Sequence, residues 1–103
     1  MAVASVITFR ALPGRGPEFL SQCSQAKKIH ERLGAGIRVV QAGAGPRPGT
    51  ITYILEFEDM VKYGEFAVKL EADQEWQAFW AKVGADPPSE IVESGLASDV
   101  TLP

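Results

Sequence analysis

The chain has 103 residues, 46% hydrophobic and 22% charged, with ten basic against thirteen acidic side chains and a net charge of −3. This is a globular rather than a disordered composition, the length suits one domain over residues 1–103, and mild acidity leaves no basic stripe for nucleic acid or an anionic membrane. Cys23 is the only cysteine, so an intrachain disulfide and a cysteine metal cluster within one chain are excluded.

Val3 to Arg10 is rich in β-branched residues and runs into Leu12-Pro13-Gly14, which predicts a first strand ending in a turn. The opening residues lack the basic region and apolar run of a secretion signal, and no later stretch is long enough to span a membrane. A cytoplasmic location is the expectation. Pro17 suits the first turn of a helix, and Phe19, Cys23, Ala26 and Leu33 then fall on one helical face before Gly34 and Gly36 stop it. Ile37 to Gln41 predicts a second strand. The breaker-rich run from Gly43 to Gly49 is short enough to join adjacent antiparallel strands.

Thr50 to Phe57 alternates, with Ile51, Tyr53, Leu55 and Phe57 on one side and Thr50, Thr52, Ile54 and Glu56 on the other, as a third strand requires. Asp59 is a candidate cap for a helix whose apolar face is Met60, Tyr63, Phe66, Ala67 and Leu70. A break follows at Ala72-Asp73, where Asp73 can cap a further helical piece carrying Trp76, Phe79, Trp80 and Val83. Pro87-Pro88 ends that piece. Glu90 to Thr101, with Ile91, Val92, Leu96 and Val100, is read as a fourth strand.

The order β-α-β-β-α-β, with right-handed crossovers, builds an α+β ferredoxin-like plait: a four-stranded antiparallel sheet with helices on one face. Ala4, Val6, Thr8, Thr52 and Ile54 would then lie on the opposite face. That face is too apolar to stay wet across a whole sheet, and the same face of a second copy would cover it. A two-fold homodimer is expected.

Three features together resemble the NIPSNAP-like domains of the dimeric α/β-barrel superfamily. They are the strand running into Leu12-Pro13-Gly14 before an amphipathic helix, the strand ending Leu55-Glu56-Phe57-Glu58-Asp59, and the Leu70-x-x-Asp73-x-x-Trp76-x-x-Phe79 run. The resemblance implies a homodimer whose sheets form a barrel, with a pocket in each subunit between sheet and helices. Relatives in that superfamily include cofactor-independent monooxygenases, haem-degrading enzymes and stress-responsive proteins. Haem degradation there uses an Asn on the first strand and a His in or after the second long helix. This chain contains no Asn, places Ile7 at or near that strand position, and has no His beyond Trp76. Haem degradation by that pattern is not expected.

His30, the only histidine, shares a helical face with Phe19, Cys23 and Ala26 and should point at the sheet. It is the one candidate for catalysis, as a pocket-lining proton acceptor or donor; the alternative is a buried histidine satisfied by a backbone carbonyl or water. Trp76 and Trp80, four apart, could form an aromatic wall for a flat ligand with Phe9 and Tyr53 from the sheet, or could simply pack the core. The candidate ligand-binding set is therefore Phe9, His30, Tyr53, Trp76 and Trp80. Cys23 has no basic neighbour positioned by the sequence to lower its pKa and reads as an inert buried thiol. Arg10, Arg38 and Glu56 could project between subunits, where a charge pair would fix register or hold an anion. Neither glycine cluster precedes a helix as a phosphate loop would, and no metal-ligand spacing or Ser-His-Asp arrangement occurs.

Two functions are consistent with these residues. One is a cofactor-free domain that binds, or transforms, a small hydrophobic or aromatic molecule. The other is a non-catalytic structural or interaction domain. A cavity of several hundred cubic ångströms open to solvent would favour the first, and a closed packed interior the second.

Overall fold

A computed structural model describes residues 2–103, in which seven elements follow one another. They are β1 (Val3–Ala11), α1 (Gly16–Arg32), β2 (Gly36–Gln41), β3 (Ile51–Phe57), α2 (Met60–Ala72), α3 (Gln74–Ala85) and β4 (Ser89–Ser98). The strands form one sheet in the order β2-β3-β1-β4, every neighbouring pair antiparallel. This is the expected ferredoxin-like plait.

Alternation in β1 and β3 decides which side chains meet the helices. The register pairs Val3 with Phe57, Ser5 with Leu55, Ile7 with Tyr53 and Phe9 with Ile51. On β3 Ile51, Tyr53, Leu55 and Phe57 are all buried, and Phe19 and Cys23 of α1 and Phe66 of α2 complete the core against them. Ala4, Val6 and Thr8 pair with Glu56, Ile54 and Thr52 on the other face, where the two threonine hydroxyls lie 3.0 Å apart.

Helix boundaries follow local chemistry. Gly14 (φ 76°) turns the chain into α1, and Gly34 (φ 107°) takes the left-handed conformation just past that helix's end, where a side chain would be strained. Asp59 Oδ1 accepts from Lys62 N at 2.9 Å at the start of α2. Asp73 then terminates α2 and caps α3 at once, its Oδ2 accepting from Trp76 N at 2.9 Å. One residue thus makes the break that the sequence predicts.

Several boundaries differ from expectation. Gly36 is already the first residue of β2 rather than part of the helix stop. Thr50 precedes β3, its Oγ1 donating to Arg47 O at 2.8 Å to close the turn. Met60 is 55% exposed because it starts α2, beyond the stretch that packs on the sheet, and Ile29 is buried on α1 although it lies off the predicted stripe. β4 stops at Ser98, which leaves Val100 outside it. Its pairing with β1 shifts between Thr8, opposite Glu93, and Phe9, opposite Ile91, leaving Val92 as a bulge.

The result is a slab with principal extents of 45 × 37 × 17 Å and a radius of gyration of 14.4 Å. A sphere-like domain of this size would have a radius of gyration of about 13 Å. Its accessible surface of 6686 Å² also exceeds the roughly 5,700 Å² expected for a monomer of 11.1 kDa.

Candidate functional site

α3 is amphipathic yet has no buried residue. Its Trp76, Phe79 and Val83 are half-buried and Trp80 is 50% exposed, so the helix stands away from the sheet. Below it lies a cavity of about 700 Å³, walled by β1 and β3 on one side and by α1, α2 and α3 on the other.

Two arginines bridge α3 to α1 at its ends, beside the packing of Trp76 on His30. At the start of α1, Arg15 donates to Glu18 at 2.8 Å and to Asp86 Oδ1 at 2.8 Å, and reaches Pro87 O at 3.2 Å. At the end of α1, Arg32 Nη2 donates to Asp73 Oδ2 at 2.8 Å and to Glu75 Oε1 at 2.9 Å. The bond from Arg32, with the backbone N–H of Trp76, holds the Asp73 carboxyl below its ordinary pKa. The two clamps span both ends of α3 and run it antiparallel to α1.

The cavity lining is almost wholly apolar, and all five sequence-predicted residues, Phe9, His30, Tyr53, Trp76 and Trp80, face it. Phe9 packs on Phe19 with ring centroids 5.2 Å apart. Trp76 and Trp80 stack at 5.4 Å and 14°, one helical turn apart. Trp76 also packs on His30 at 4.6 Å.

His30 is 5% exposed and lies edge-on to Tyr53 and Phe66. Its Nδ1 is 2.6 Å from the Tyr53 hydroxyl, so its partner is a phenol and not the backbone carbonyl or water expected. Burial pushes the imidazole down to about 4, leaving it neutral at neutral pH. The same desolvation raises the Tyr53 phenol. Cys23 is buried against the same wall, and loss of hydration pushes its thiol up to about 11, the inert state expected of it.

Arg10, Arg38 and Glu56 lie on the opposite sheet face, Arg38 across from Ile54 and Glu56 across from Ala4. Arg38 pairs with Glu56 at 3.5 Å and Arg10 with Glu90 at 3.2 Å. All four are exposed in the single chain. With Arg47–Glu93 at 2.6 Å they ring a centre of Val6, Ile54 and Val40. Among the described residues no group of three or more His, Cys, Asp or Glu side chains is placed to hold a metal ion. None of the helices is long and apolar enough to cross a membrane.

Sequence reasoning missed three contributors. The His30–Tyr53 bond joins residues 23 apart and depends on how α1 lies across β3. Ile91 enters the lining from β4, where the bulge obscures the alternation. The arginine clamps join residues 41 and 71 apart and leave no local signal.

No protein-family model and no curated protein matches this sequence. Solved structures do. Atu4242 of Agrobacterium tumefaciens, a NIPSNAP family protein with unknown function, is 22% identical over 95% of this chain and 93% of its own, with a TM-score of 0.74. An uncharacterized NIPSNAP domain protein of Burkholderia xenovorans is 22% identical over 97% and 95%, with a TM-score of 0.73. SnoaB, a cofactor-independent oxygenase from Streptomyces nogalater, is 18% identical over 99% and 97%, with a TM-score of 0.67. The chain shares the ferredoxin-like fold of these proteins.

Proposed function

We propose that this protein binds a small, flat, largely apolar molecule in the cavity between sheet and helices. The observation that carries this reading is the solvent-reached cavity of about 700 Å³, a volume in the range of small-molecule sites. Phe9, Tyr53, Trp76 and Trp80 would hold the ligand and His30 would make its polar contact. Binding is favoured over proton transfer because a neutral imidazole with a pKa of about 4 is a weak base at neutral pH. No metal or cofactor enters this reading, and a cytoplasmic setting is part of it. SnoaB is a fold neighbour described as a cofactor-independent oxygenase, so a cofactor-free transformation of the bound molecule is the further step to assay.

The working unit in this reading is a homodimer joined through the open sheet faces. The roughly 1,000 Å² of surface above the monomer expectation is comparable to what one partner buries in a standard interface, about 800 Å². The ion pairs around Val6, Ile54 and Val40 would form its polar rim.

Fluorene, a flat hydrocarbon without polar atoms, is the direct probe. Titration followed by NMR at the two indole N–H signals should saturate at one molecule per chain, with both signals shifting. Absence of any shift at the solubility limit of fluorene would refute the binding reading. Light scattering at micromolar concentration tests the dimer, and a monomer would contradict it.

A further inference from the structure

We infer that the cavity selects a neutral aryl ketone or quinone, because the deeply buried polar edge it offers is a hydrogen-bond donor, the Nε2–H of His30, fixed in that tautomer by Tyr53. This inference rests on the reading of the cavity as a ligand site.

The tautomer follows from counting donors and acceptors. Tyr53 is 4% exposed, and its hydroxyl meets one polar side-chain atom among the described residues, Nδ1 of His30 at 2.6 Å. If Nδ1 carried the proton and donated to the phenolic oxygen, the Tyr53 O–H would have no acceptor in the chain. A buried hydroxyl without an acceptor costs about 1–3 kcal/mol. When the Tyr53 O–H donates to the Nδ1 lone pair, both groups are satisfied and the imidazole proton sits on Nε2. The depressed basicity of His30 agrees, since an imidazolium would offer Nδ1 no lone pair.

Among the described residues Nε2 makes no hydrogen bond, yet no buried polar side-chain atom there lacks a partner. Nε2 is therefore the edge of the ring that reaches the cavity His30 lines. It presents a fixed N–H among Phe66, Tyr53 and Trp76. A carbonyl oxygen completes such a donor without bringing in charge.

The remaining polar lining does not change the preference. The Ser5 and Tyr63 hydroxyls can donate or accept, the indole N–H groups of Trp76 and Trp80 only donate, and the Cys23 thiol stays protonated. Gln22 and Ser89 are half-buried, and Glu71 is exposed. The lining contains no Lys or Arg, so a carboxylate ligand would lose its hydration with no cation to replace it. A phenol would have to turn its oxygen to Nε2–H and leave its own hydrogen against aromatic carbon.

The test compares 9-fluorenone, fluorene and fluorene-9-carboxylate on the full chain by NMR titration. Fluorenone should bind about tenfold more tightly than fluorene, the gain of one well-made hydrogen bond. The carboxylate should bind more weakly than either. In His30→Phe the ketone advantage over fluorene should vanish. Nitrogen-detected NMR of the sole histidine gives a readout free of any folding defect in that variant, and should show Nε2 protonated and Nδ1 bare. Equal affinity for fluorenone and fluorene, preference for the carboxylate, or protonation of Nδ1 would each overturn the inference and leave the cavity reading standing. Failure of fluorene itself to bind would bring down both.

Discussion

Acid should destabilise this protein through His30. The ring is 5% exposed, packed against Tyr53, Phe66 and Trp76, and has no carboxylate partner, so its pKa falls to about 4. In the unfolded chain the same group titrates near 6.5. The folded state therefore resists a proton that the unfolded state accepts, and the stability His30 contributes is complete above pH 6.5. It is lost as pH falls, by about 1.4 kcal/mol per unit, and levels off near pH 4. Over the 1.5 units from 6.5 to 5 the loss is about 2 kcal/mol, a sizeable share of the roughly 5–15 kcal/mol that holds most domains folded. Urea unfolding at pH 7 and pH 5 measures it, with His30→Phe as the reference that lacks the group. The wild type should lose about 2 kcal/mol more than the variant across that interval. Because His30 is the only histidine, its NMR titration also reads the folded pKa without assignment ambiguity. A midpoint near 6.5, or equal losses in both proteins, would refute the burial reasoning.

Asp73→Ala removes both the α3 cap and the acceptor for Arg32, and should lower Tm by roughly 5–10 °C in a calorimetric scan. Arg32→Ala, which leaves the cap in place, should lower it by much less. A charge in the centre of the open sheet face, Ile54→Lys, should give a monomer by light scattering with an unchanged circular dichroism spectrum; a dimer that persists would place the contact elsewhere. Alkylation of Cys23 in the native protein at neutral pH should run about 100-fold slower than in urea, following its reduced thiolate fraction. Equal rates would show an open thiol.

Much of the architecture is legible in the sequence because its signals are local. The alternation of β3 places Ile51, Tyr53, Leu55 and Phe57 correctly, and Asp73 marks a helix junction because one carboxylate can cap the residues that follow it. The wheel of α1 also turns His30 inward, and that brings together all five members of the candidate site. The rest is tertiary. An amphipathic pattern in α3 says which side faces inward but not how far away the sheet lies, so Trp76 and Trp80 are equally compatible with a filled core and with a cavity wall. That distance depends on tertiary contacts, among them the Arg15 and Arg32 ion pairs and Trp76 on His30, whose partners lie remote in sequence. The tyrosine partner of His30 likewise depends on how α1 lies across β3, and the register of β4 on an extra residue at Val92.

That extra residue also bears on how copies of the chain can meet. β4 is an outer strand, and its free edge is a template on which another strand could add. With Val92 bulged, the two halves of that edge are out of step, and a straight incoming strand could hydrogen-bond to one half but not continue along the other. Glu90 and Glu93 flank the bulge and are paired with Arg10 and Arg47. A single inserted valine thus keeps this edge of the sheet from offering a continuous template, while β2 forms the other outer edge.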